Sequence, residues 1–125
     1  LAADALILPG VGAYKAAMNN LDKLGLVDPI KVFIESEKPF MGVCLGLQLL
    51  FEVSEEFGQH NGLGIIKGTV KRFEPSKGGN EKIPQISWNT IQSETTSWEN
   101  TPLKHLEENA FMYFVHSYYV VPSEQ

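Results

Sequence analysis

The sequence predicts an α/β fold, a layered sheet with flanking helices whose first half contains parallel strands. Three observations predict it. Two short apolar runs, DALIL (4–8) and KPFMGV (38–43), read as buried strands, and helical periodicity fills the stretch between them. The second half is richer in β-branched and aromatic residues.

Residues 4–8 are short, apolar and closed by Pro9-Gly10, which suits a central parallel strand covered on both faces. Tyr14, Ala17, Met18, Leu21 and Leu24 then recur at three- and four-residue spacing, giving an amphipathic helix that Gly25 terminates. Asp28-Pro29 reads as an N-cap and first-turn proline opening a second helix through Ile30, Phe33 and Ile34. After the strand at 38–43, LGLQLLFEVSEE (45–56) has helical periodicity. Its acidic residues lie at the far end and oppose the macrodipole, so packing must hold the last turn.

Beyond the polar FGQHNG, residues 62–73 (GLGIIKGTVKRF) are expected to be extended. PSKGGNEK (75–82) has the composition of an exposed loop, and IPQISWNTI (83–91) resumes as a strand. Thr101-Pro102 predicts a short helix through Leu103 and Leu106, and FMYFVHSYYVV (111–121) is the most β-prone stretch.

The 125 residues are enough for one domain that buries a core without disulfides or metals, and no repeat or compositional break marks a second. Lys and Arg number 10 against 15 Asp and Glu, for a net charge of -5, with no basic cluster. A nucleic-acid partner is therefore not expected. One cysteine forms no internal disulfide, and neither a secretory signal nor a membrane-spanning apolar run is visible. A reducing, cytoplasmic setting is expected. The chain enters its first strand directly from LAAD without an initiator Met, so its amino-terminal boundary reads as a cut in a longer chain.

Gly42-Val43-Cys44-Leu45-Gly46 has the G-x-nucleophile-x-G form of a strained strand-to-helix elbow that lifts its central side chain into a cleft. Amides at the start of the following helix favour thiolate over thiol, and Leu45 N–H among them can bind an oxyanion. On the pentapeptide alone, a buried cysteine acting as a small hydrophobe competes evenly with a nucleophile. The strand before it and the helix after it are the context the motif requires.

Pro9-Gly10-Val11-Gly12 offers a second glycine-rich turn. If the two strands are neighbours, both turns open at one sheet edge and Val11 N–H faces Cys44 as a second oxyanion donor; otherwise the turn is a plain strand exit. Gln48 lies one helical turn after Cys44, directed at the same cleft or at solvent. His116 is the tempting general base, but strand histidines are more often packed, and nothing in the spacing brings it to the thiol. His60 and His105 read as surface residues. Trp88 and Trp98 fall in or near loops and either anchor an interface or roof the core. No clustered ligand spacing supports a metal site, and no cofactor is implied.

PGVGAY (9–14), GVCLGLQLLFE (42–52), GLGIIKGTVKRF, ISWN (86–89) and FVHSYY (114–119) together resemble the glutaminase subunits of imidazole glycerol phosphate synthase, a branch of the class I glutamine amidotransferases. The resemblance runs over most of the chain. It implies that Cys44 attacks the side-chain amide of glutamine to form a thioester and release ammonia, with the Val11 and Leu45 amides facing the oxyanion. It further implies that Gly12 and Gln48, with backbone from Ser117 and Tyr118, hold the glutamine. Trp88 and Asn89 are implied to lie toward the cyclase subunit that receives the ammonia.

The family's H-P-E motif, carrying the catalytic His and Glu, does not occur in these residues, and His116 matches a different family histidine. The strand, helix and strand that the family places before PGVG are also not seen. The chain therefore reads as a partial amidotransferase domain over 1–125, truncated at both ends and nearly inactive alone. Gln85 and Ser87 replace a His and a Gly that the family more often has before W-N. Two alternatives remain: a noncatalytic fragment that binds a partner or self-associates through exposed sheet edges, and another cysteine-elbow hydrolase or redox sensor.

Overall fold

The computed structural model describes residues 2–75, 82–93, 98–99 and 101–123. They form two compact units, Leu1–Glu74 with Tyr118–Gln125, and Pro75–Ser117. The sequence offers no signal for the second unit, because its strands resemble a continuation of the same β-rich half.

In the first unit, β1 (Leu6–Leu8) is followed by α1 (Tyr14–Lys23), α2 (Val27–Glu35) and β2 (Phe40–Gly42), which returns parallel to β1 with Leu8 opposite Gly42. The βαβ order predicted for this half is thus present. α1 ends as Gly25 predicts: Gly25 adopts φ 62°, Gly25 N–H donates to Asp22 and Leu26 N–H to Leu21, the paired bonds of a Schellman close.

α2 begins two residues earlier than the Asp28-Pro29 pair predicts. Leu26 is its N-cap without a side-chain bond, so Asp28 and Pro29 lie inside the first turn. Both remain favourable there, Asp28 through the dipole and Pro29 because a first-turn N–H has no intrahelical partner.

The helix expected over 45–56 is not observed. α3 spans only Leu45–Gln48, and the chain turns into β3 (Phe51–Ser54). The carbonyls that would continue the helix are taken from elsewhere: Leu63 N–H donates to Leu49, and both Ile65 and Ile66 N–H donate to Leu50. Phe51 and Val53 then pair in a sheet ordered β4 (His60–Asn61), β3, β5 (Ile66–Arg72), β8 (Tyr118–Pro122). β3 runs parallel to β5 and the other pairs are antiparallel. Leu49, Leu50 and Phe51 are all buried, so three consecutive core residues defeat a one-sided helical stripe. They join Tyr14, Leu21, Ile30, Leu45, Leu63 and Val70 in one core.

In the second unit, β6 (Gln85–Thr90) and β7 (Phe111–His116) form an antiparallel pair, with Trp88 opposite Tyr113. Ile86, Trp88, Phe111, Tyr113 and Val115 are exposed along one face. The helix expected after Thr101-Pro102 is replaced by successive turns, Lys104 N–H to Thr101 and Leu106 N–H to Leu103. The capping chemistry is present, since Thr101 Oγ1 accepts from Leu103 N–H at 3.1 Å. With Leu106 itself exposed, too little apolar surface is buried there to offset helix nucleation. Most of the loop predicted at 75–82 lies outside the described residues.

Candidate active site

Cys44 joins β2 to α3 with φ 54° and ψ −118°. A non-glycine residue held there costs on the order of 1–3 kcal/mol and persists only where its surroundings impose it. The imposing contacts are backbone to backbone. A Cβ on Gly42 would lie 2.7 Å from Leu47 Cα, and one on Gly46 would lie 1.8 Å from the Leu8 carbonyl oxygen. The two glycines of the motif are therefore required by close approach. Val43 N–H donates to that same Leu8 carbonyl at 2.9 Å, which ties the elbow to the end of β1. Cys44 emerges exposed while Leu45 beside it is buried. The alternative of a buried cysteine does not hold, since Cys44 is exposed.

Because β1 and β2 are paired, the turn after β1 meets the elbow at one edge of the sheet, as the sequence anticipates for neighbouring strands. A Cβ on Gly10 would stand 3.1 Å from Leu45 Cβ and 3.3 Å from Gly46 N. Gly12 has φ 102°, a conformation that suits glycine, and Val11 is 92 % exposed. Leu45 N–H opens α3, where no intrahelical acceptor exists for it. α3 is a single turn, so nearby amides, more than a long aligned dipole, are what it presents to Cys44.

Gln48 Nε2 donates to the Tyr118 carbonyl at 3.4 Å, bringing together two residues expected to share the pocket. A carboxylate that the sequence does not reveal also reaches this region: Glu56 accepts from Tyr14 N–H, the first amide of α1, just after the PGVG turn. The two are 42 positions apart, and no local pattern connects them. Tyr14 itself is fully buried, and its hydroxyl has no hydrogen-bond partner among the described residues. Desolvation pushes its pKa up to about 12.

An elbow cysteine backed by a glycine-rich turn at the edge of a parallel pair invites comparison with known proteins. The family described as "Glutamine amidotransferase class-I" matches residues 2–125. The chain belongs to the class I glutamine amidotransferases. Among curated relatives it is similar to "Imidazole glycerol phosphate synthase subunit HisH" of Aquifex aeolicus, 51% identical over 123 residues, covering 98% of this chain and 56% of that protein. The protein of the same name from Cyanothece is 52% identical over 124 residues, again covering 98% and 56%. "Imidazole glycerol phosphate synthase subunit HisH 1" of Legionella pneumophila (strain Lens) is 47% identical over 128 residues, covering 98% and 60%. The chain thus spans a little over half the length of these relatives.

The other residues singled out in this amidotransferase chain are distributed as follows. Trp88 is 65 % exposed, with its ring 5.4 Å from that of Tyr113. Its neighbour Asn89 occupies the opposite face of β6, where its Oδ1 accepts from Ser87 Oγ at 3.2 Å. Ser117 is half-buried at the break between β7 and β8. His116 packs with its ring 6.0 Å from that of Phe114, the packed role favoured by its strand position. His105 is exposed. His60 is not a free surface residue: it is half-buried in β4 and, with Lys15, Asn19, Glu56 and Phe57, lines a cavity of about 370 Å³. Among the described residues no helix is long and apolar enough to cross a membrane, and no cluster of three or more His, Cys, Asp or Glu could hold a metal ion.

Proposed function

We propose that this chain carries the nucleophile and part of the glutamine pocket of a glutaminase. The observation that carries the reading is the strained, exposed Cys44, held by Gly42 and Gly46 with the PGVG turn packed behind it. As thiolate, Cys44 Sγ adds to the side-chain amide carbon of glutamine, and the carbonyl electrons move onto oxygen, toward the Leu45 and Val11 amides. Collapse expels the nitrogen, which takes a proton and leaves as ammonia. Water then adds to the thioester, releasing glutamate and restoring the thiol.

Gly12, Gln48 and the backbone of Ser117 and Tyr118 hold the glutamine in this reading. In this reading the ammonia passes to a cyclase partner, in a cytoplasmic heterodimer that makes imidazole glycerol phosphate for histidine biosynthesis; what the relatives' names support is membership, as a subunit, of an imidazole glycerol phosphate synthase. Exposed Trp88 supports a partner-facing role, while Asn89 on the other face of its strand supports one less. These 125 residues contain no H-P-E triplet to supply the base. Assayed alone, the polypeptide is expected to turn over ~10²–10⁴-fold more slowly than a glutaminase with its base in place.

Protection of Cys44 tests the pocket without needing turnover. Saturating glutamine is expected to slow alkylation of Cys44 by iodoacetamide, and asparagine is not. Equal rates with and without glutamine in a folded chain would overturn the reading.

One observation favours self-association as a second reading. Ile7 and Met41 stand opposite each other on β1 and β2, and both are exposed, although parallel sheets are ordinarily covered on both faces. Sedimentation showing a monomer at all concentrations would remove it.

A further inference from the structure

Gln48 is the last residue of α3, and Tyr118 is the first residue of β8, paired with Arg72 at the end of β5. Between Arg72 and Tyr118 the chain leaves to form the Pro75–Ser117 unit and returns. The bond from Gln48 Nε2 to the Tyr118 carbonyl, spanning 70 positions of sequence, therefore joins the elbow helix to the point where that unit re-enters the sheet. The next residue is braced as well, with the Tyr119 ring stacked on Phe73 at 4.9 Å.

We propose that Gln48 is a positioning residue. Its amide holds the Tyr118 carbonyl, and with it the start of β8, so that the Tyr118 backbone is presented beside the elbow helix. The proposal rests on the glutamine-pocket reading and deepens it, giving Gln48 a role exerted through Tyr118. A strand end is where a ladder frays first, so a side-chain bond there adds to what keeps the backbone in place. A glutamine amide has two donor hydrogens and an acceptor oxygen, so this bond uses only part of its capacity.

Amide hydrogen exchange on the full chain tests this, using Gln48→Glu and Gln48→Met. Both keep the side chain's length, and at neutral pH neither can donate to a carbonyl. In both variants the amides at the start of β8 are expected to exchange roughly threefold faster, the effect of a long and weak hydrogen bond, while those of α2 stay unchanged. In parallel, the concentration of a diazo-ketone glutamine analogue needed for half-maximal alkylation of Cys44 is expected to rise. Unchanged β8 exchange together with weakened analogue binding would overturn the proposal and leave Gln48 as a glutamine ligand with no role through Tyr118. Unchanged exchange with unchanged binding would also overturn it. Faster β8 exchange in chains the analogue never labels, wild type included, would sustain the positioning role while refuting the glutamine pocket.

Discussion

The α-carbon of Gly46 faces the carbonyl oxygen of Leu8 so closely that a Cβ there would stand 1.8 Å from it. That carbonyl ends β1 and already accepts Val43 N–H, so it cannot yield without loosening the elbow.

Gly46→Ala is therefore expected to destabilise the chain by about 3 kcal/mol or more, the upper range for overpacking against an unyielding neighbour. Gly12→Ala provides the contrast. No atom of the described residues lies within 4 Å of a Cβ there, and the cost comes from φ 102°. It is expected to lose about 1 kcal/mol. Urea midpoints for the two variants give the comparison, and equal losses would contradict the contact argument.

Strain at Cys44 makes a prediction of opposite sign. Cys44→Gly relieves a φ of 54°, and even after the entropy that glycine adds to the unfolded chain it is expected to gain about 1 kcal/mol. Cys44→Ala keeps the strain and is expected to gain little. If Ala proves as stabilising as Gly by urea unfolding, the elbow is not strained.

The buried Tyr14 hydroxyl sets a pH dependence. Its pKa rises from 10.0 unfolded to about 12 folded, so the neutral form is the one the fold favours. The stability it supports is complete below pH 10 and is lost as pH climbs toward 12, by roughly 2–3 kcal/mol. Tyr14→Phe deletes a polar group without a partner among the described residues, and is expected to match or exceed the wild type at neutral pH and to lose that alkaline step. Unfolding free energies across the alkaline range decide it.

Local signals in the sequence were the ones that translated into structure. The G-x-C-x-G spacing, the Gly25 helix stop and the two short strands each depend on residues a few positions apart. The 45–56 segment failed because its periodicity competes with bonds from Leu63, Ile65 and Ile66, which no window around Leu50 contains. No local pattern reveals Glu56 on Tyr14 N–H for the same reason, since that carboxylate reaches the start of α1, just after the PGVG turn, from 42 positions away. FMYFVHSYYVV read as one β-prone run, yet Ser117 divides it into strands of two units.

The most direct measurement is alkylation of the folded chain by a diazo-ketone analogue of glutamine, with the modified residue mapped by mass spectrometry. A thiol raised on the elbow beside a glutamine-shaped pocket predicts stoichiometric, saturable labelling at Cys44, blocked by excess glutamine. A folded chain whose Cys44 reacts with iodoacetamide but never with the analogue would contradict the account.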